Sequence, residues 1–90
     1  MLVLLSGHLL SQEKFTISGY ITEEGSRENL PGVTIHQPGT GNATTSNAYG
    51  FYSITLPRQD SLQLLYSFLG YGSSLKIIRL DKNISLNVGL

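Results

Sequence analysis

Two histidines, His8 and His36, the carboxylates Glu23, Glu24, Glu28 and Asp60, and a scatter of serines are the side chains with which this chain could do chemistry. Hydrolysis would need a nucleophile, a base within hydrogen-bond reach, and a third group to orient that base. His36 follows Val33 and Ile35, whose side chains are expected to point inward, so its imidazole is expected at the surface, as a solvated side chain and not a base. Asp60 is expected in a connecting loop, and His8 falls in an apolar N-terminal stretch. The three glutamates crowd one loop and could attract Ca²⁺ weakly. They lack the alternating acidic pattern and terminal bidentate glutamate of a calcium loop, and a solvated loop is the expectation. With no cysteine and one histidine after residue 12, no structural zinc set can be assembled. No catalytic residue, cofactor-binding residue or metal ligand is expected.

The elements that carry these side chains are short strands. Phe15 to Thr22 alternates Phe15, Ile17, Gly19 and Ile21 on one face with Thr16, Ser18, Tyr20 and Thr22 on the other. A polar loop, Glu23 to Asn29, follows, and Leu30 is expected to fold back over the core. Pro31-Gly32 launches Val33 to Gln37, and Pro38 to Asn42 is a turn cluster. Ala43 to Leu56 reads as a hairpin: Asn47 suits the first position of a type I turn and Gly50 the fourth, where a left-handed backbone is cheap only without a Cβ. Tyr52, Ile54 and Leu56 alternate beyond it, and Pro57, which cannot donate to a ladder, ends the strand. After a short connection, Arg58 to Asp60, the longest strand runs from Ser61 to Leu69. Leu62, Leu64, Tyr66 and Phe68 share one of its faces, and Leu65 and Leu69 lie on the other, as in a central strand. Leu75 to Leu80 and Ile84 to Val88 close the domain. Gly19, in mid-strand, would allow a bulge or the close approach of a neighbouring backbone. Seven short strands and no helix of normal length predict an all-β, Greek-key β-sandwich.

Composition agrees. Ninety residues allow one domain, and without a disulfide the apolar core must hold it. Six basic residues balance six acidic ones, so no basic stripe exists to release counterions from nucleic acid. Met1 to Gln12 is apolar and turns polar at Glu13-Lys14; it is too short to span a bilayer as a helix, which needs about 20 apolar residues. It resembles the apolar region and cleavage end of a secretory signal peptide, although no Lys or Arg precedes the apolar run. The division expected is residues 1–12 as the remnant of an export signal and 13–90 as the domain.

Three segments in order carry a resemblance to the carboxypeptidase regulatory-like domain, a transthyretin-like sandwich of seven strands. They are Ile17-Ser18-Gly19-Tyr20-Ile21 leading to Leu30-Pro31-Gly32-Val33-Thr34-Ile35; Thr45-Ser46-Asn47-Ala48-Tyr49-Gly50-Phe51-Tyr52-Ser53-Ile54; and Tyr66-Ser67-Phe68-Leu69-Gly70-Tyr71. The second is similar to the form found at the N-terminus of TonB-dependent outer-membrane receptors. The resemblance implies a non-catalytic accessory domain of such a receptor, exported to the periplasmic face of the outer membrane and contacting proteins, either the receptor's plug and barrel or a periplasmic partner. Carboxypeptidase enters the family's name only because similar domains accompany that enzyme, so its zinc ligands are not implied. Asp60-Ser61-Leu62 resembles an O-glycosylation acceptor of bacteria carrying such receptors, whereas Asn42-Ala43-Thr44 and Asn83-Ile84-Ser85 match the N-glycosylation pattern by chance. Tyr20, Phe51 and Tyr71 are expected off the core face, either packed against loops or forming a platform for sugars or proteins. That platform supports the alternative reading, a free-standing secreted carbohydrate-binding or adhesion module.

Overall fold

The computed structural model describes residues 13–90. Residues 1–12, where the export-signal reading falls, lie outside the described part. The order is β1 (Lys14–Thr22), β2 (Thr34–His36), β3 (Ala43–Thr45), β4 (Phe51–Pro57), β5 (Gln59–Ser67), β6 (Ser74–Leu80), β7 (Ile84–Ser85) and β8 (Val88–Gly89). No helix occurs among the described residues, and hence none long and apolar enough to cross a membrane.

Two sheets face each other. One has β1 at its centre, antiparallel to β4 and parallel to β7 and β8; the other runs β3-β2-β5-β6, antiparallel throughout. The chain changes sheet between β1 and β2, β3 and β4, β4 and β5, and β6 and β7, leaving only β2-β3 and β5-β6 as hairpins. This is the all-β Greek-key sandwich predicted. β7 and β8 keep one register against β1, with Ile17 opposite Ile84 and Ile21 opposite Val88. They are one strand interrupted at Leu86-Asn87, and on that count the strands number seven.

The alternating positions meet between the sheets. Ile17 and Ile21 of β1, Tyr52, Ile54 and Leu56 of β4, and Leu62, Leu64 and Tyr66 of β5 are all buried, with Val33, Ile35, Leu80 and Val88. Leu30 closes one side of this core, as expected. Burial of each such side chain contributes about 1.5–3 kcal/mol, the main stabilising term where no disulfide exists.

Two local expectations are corrected. First, Ala43 to Leu56 is not a hairpin. The turn is formed as read: Asn47 O accepts from Gly50 N (2.9 Å), Asn47 Oδ1 accepts from Tyr49 N (2.9 Å) and Phe51 N (3.1 Å), and Gly50 has φ 77°. However, β3 pairs with β2 and β4 with β1, so the turn carries the chain from one sheet to the other. Its shoulders are tied to different sheets: Ser46 N donates to Val33 O (2.9 Å), while Gly50 O accepts from Ile21 N (2.8 Å). Second, β5 begins at Gln59 and ends at Ser67, which puts Asp60 inside a strand and leaves Leu69 almost wholly exposed. The β5-β6 register slips between Gln59 and Leu62, so Asp60 and Ser61 form a bulge in which both are exposed. β6 turns Leu75 and Ile77 outward, 50% and 66% exposed, and sends Ile78 and Leu80 inward.

Candidate functional site

The side chains able to do chemistry are dispersed. His36 lies half-buried on the outer face of the β3-β2-β5-β6 sheet, opposite Ala43 on one side and Leu65 on the other. Asp60 is on the neighbouring strand, five residues from Leu65, or roughly 16 Å at about 3.3 Å per residue. Those two cannot act as a base and its orienter. Among the described residues no group of three His, Cys, Asp or Glu converges to hold a metal ion.

The glutamate loop is occupied with its own structure. Glu23 N donates to Glu28 O, Arg27 N donates to Glu23 O, and Arg27 takes φ 64° to close the loop. Glu24 N donates to Leu90 O (2.8 Å), which ties the loop to the last residue. The Glu23 carboxylate accepts Ser26 Oγ at one oxygen and the Tyr71 hydroxyl at the other (2.8 Å). The bond from Ser26, then that from Tyr71, holds its pKa below the ordinary 4.5. The same bond to Glu23 raises Tyr71 above its ordinary 10.0. Tyr71 also packs on Phe68, ring centroids 5.3 Å apart.

The clamp has a definite pH window. Glu23 is depressed, so its contribution is present above the unfolded carboxylate pKa and is lost as pH falls through the folded one. Tyr71 is raised, so its contribution is present below the unfolded phenol pKa and is lost as pH rises through the folded one. Tyr71→Phe is expected to move the Glu23 pKa upward toward the ordinary value without restoring it fully, because the Ser26 bond remains. A carbon-detected NMR titration of the Glu23 carboxyl reads this directly, and an unchanged midpoint would contradict the clamp.

A second polar group sits inside the sandwich. Tyr52 of β4 and Tyr66 of β5 meet edge to face at 5.4 Å, one ring from each sheet. Tyr52 donates to Leu86 O (2.7 Å), which leaves Tyr66 to donate to the Tyr52 oxygen (2.9 Å). Burial raises both phenols, so both stay neutral donors. The chain of hydroxyls satisfies two buried polar groups and spends them on a backbone carbonyl, with no opening to a substrate. Its role is to join the two sheets to the C-terminal strand.

The outer face of the β1 sheet is polar. Its pairs run Thr55-Thr16, Ser53-Ser18-Ser85 and Phe51-Tyr20 across the strands, with a 2.7 Å bond between the Thr16 and Thr55 hydroxyls. Tyr20 and Phe51 meet edge to face at 5.3 Å. Asn83 Oδ1 accepts from Thr16 N and Asn87 Oδ1 from Tyr20 N, each at 2.9 Å. These side-chain amides stand in for backbone acceptors on either side of the parallel ladder, a structural use that the chance sequon at Asn83 had hidden. Asn42 is exposed and bonds Gln37 through its amide.

The outer face of the other sheet is apolar at one edge. Leu65 stands opposite Leu75, and Ile77 follows two residues along β6. No signal in the spacing marked this patch, because Leu75 and Ile77 read equally well as core. Of the aromatic residues singled out, Tyr20 is 47% exposed while Phe51 and Tyr71 are half-buried against their neighbours.

Comparison with known proteins agrees with the sandwich fold. TonB-dependent receptor P3 of Formosa agariphila is 33% identical over 85 residues, which cover 94% of this chain and 8% of the receptor. Thus the chain spans under a tenth of that relative's length. Among solved structures, a chain of a C-terminal interface mutant of the type II cohesin-X-dockerin complex of Acetivibrio cellulolyticus matches with a TM-score of 0.69. The match covers 82% of this chain and 52% of that one, at 15% identity, a likeness of fold alone. The model of the CarboxypepD_reg-like domain matches residues 17–90, and this chain belongs to that family.

Proposed function

We propose that this domain is a non-catalytic accessory part of a TonB-dependent outer-membrane receptor, where it contacts proteins on the periplasmic side during nutrient uptake. The observation that carries the reading is the identity to a TonB-dependent receptor along nearly the whole chain. The wide separation of His36 and Asp60 supports a role without chemistry. The edge-to-face meeting of Tyr20 and Phe51 favours protein contact over sugar stacking, which needs a flat, open ring.

The test is made in cells whose receptor carries this domain. Deleting residues 13–90 is expected to lower uptake, and a photoreactive residue at position 75 of the intact domain is expected to crosslink to an envelope protein. The pair His36→Ala and Asp60→Ala is expected to leave uptake unchanged. Loss of uptake in the folded double variant would overturn the non-catalytic reading, and absence of any envelope crosslink would overturn the receptor reading.

A further inference from the structure

The edges of the two sheets are not equivalent. β3 has three residues, and the β7-β8 strand is broken at Leu86-Asn87. β4 has β3 beside it, with Ala43-Thr44 and Ser53 to Leu56 lining a cleft that they share. β6 is seven residues long and, among the described residues, pairs with β5 alone. A long edge strand with exposed apolar side chains is a template for another strand. Leu75 and Ile77 supply the apolar surface.

Charge decides what the template accepts. Lys76, Arg79 and Lys82 are half of the six cations in the chain, and Asp81 is the one acid among residues 74–82. The contact of Asp81 with Arg79 is 3.5 Å and exposed, too weak to cancel the excess. Lys76 stands opposite Leu64, a buried residue, so its side chain leaves the inner face of the sheet. An inward lysine on an edge strand repels indiscriminate pairing, because an added strand would bury its charge unpaired. A strand that brings a carboxylate removes that penalty.

We propose that the free edge of β6 receives an extended, acidic segment of another protein, which adds to the β3-β2-β5-β6 sheet as a further strand. The segment alternates apolar residues, set beside Leu75 and Ile77 on the outer face, with carboxylates that reach Lys76 on the other. The proposal rests on the contact role assigned above and names the chemistry of the partner. A second copy of this chain is a poor occupant, since two β6 edges would set like charges against each other. Residues 1–12 contain no acid and do not match either.

The experiment uses the isotope-labelled full chain and two synthetic peptides with blocked ends, four Val-Glu repeats and four Val-Lys repeats. The acidic peptide is expected to bind at least tenfold more tightly, to shift the amides of Ser74–Leu80 and protect those of them that point away from β5, and to weaken with added salt. N-methylation of alternate peptide bonds should remove binding, because a ladder needs backbone donors. Lys76→Glu should cost at least tenfold for the acidic peptide while leaving the shifts of the free domain unchanged outside β6. Equal affinity for both peptides, shifts centred on the Tyr20-Phe51 face, or protection, before peptide is added, of the β6 amides that point away from β5 would overturn the proposal. Tight peptide binding without envelope crosslinks would instead remove the receptor reading and leave this one standing.

Discussion

Replacing Gly19 by alanine is expected to cost about 3–5 kcal/mol and to release the C-terminal strand. A Cβ at this position would lie 2.0 Å from Leu86 O and 2.6 Å from its carbonyl carbon. Neither atom belongs to a flexible side-chain end, so the backbone itself must move. Leu86 is held on three sides: its N donates to Ser18 O (2.8 Å), its O accepts from Tyr52 (2.7 Å), and the next residue accepts from Tyr20 N (2.9 Å). A displacement large enough to clear the methyl group breaks these together and leaves the buried Tyr52 hydroxyl without its acceptor. Unpaired buried groups cost about 1–3 kcal/mol each, against a total stability of about 5–15 kcal/mol.

Gly72→Ala is the control, since its Cβ would meet nothing within 4 Å. It should change stability by less than about 0.5 kcal/mol. Denaturant midpoints compare the two, and amide exchange at Leu86 and Leu90 reports the strand. A double-mutant cycle adds a sharper reading: Tyr52→Phe should cost less in the Gly19→Ala background, because its acceptor has already gone. Equal effects of alanine at positions 19 and 72 would show that the backbone has room that the geometry denies.

Gly19 also marks the boundary between what the residues declare and what only the fold reveals. A glycine in mid-strand predicts close approach, and the approach occurs; nothing local names Leu86 as the neighbour. The alternation of Tyr52, Ile54 and Leu56 and of Leu62, Leu64 and Tyr66 identified buried faces correctly. Period two reports which face of a strand is buried but not which strand lies beside it. For that reason the Asn47-Gly50 turn was legible, while its service as a bridge between sheets was not. At β6 the pattern failed for another reason: Leu75, Ile77, Ile78 and Leu80 are apolar on both faces, so the phase is ambiguous, and the outward pair became the candidate surface. The bulge at Asp60-Ser61 similarly breaks the period where the reading placed a loop. Tyr71 was read as an outward ring; its bond to Glu23 spans 48 positions and leaves no trace in local spacing.

Ser46 is the residue whose importance was least visible, and Ser46→Ala is expected to destabilise the domain by about 2–4 kcal/mol. Small and polar beside a turn, it reads as ordinary turn chemistry, yet it is 5% exposed. Its Oγ donates to Leu30 O (2.7 Å) and accepts from Val33 N (2.9 Å). Its backbone repeats the link, with Ser46 N to Val33 O and Gly32 N to Ser46 O, each 2.9 Å. Alanine keeps the backbone pair and removes both side-chain bonds, leaving a donor and an acceptor buried without partners. The damage is therefore local and directional. Exchange of the Val33 amide, whose partner is the hydroxyl, should quicken roughly ten- to hundredfold, the rate equivalent of about 1.4–2.8 kcal/mol, while that of Gly32 changes less. Leu30, which closes the core beside this loop, should lose protection with it. A water molecule taking the place of the hydroxyl would hold the cost below about 1 kcal/mol and keep Val33 protected, and that result would contradict the assignment. The loop so held leads into β2, which pairs with β5 at Leu65, so the variant also tests whether the apolar edge carried by β5 and β6 depends on a hydrogen-bonded anchor at the far side of its own sheet.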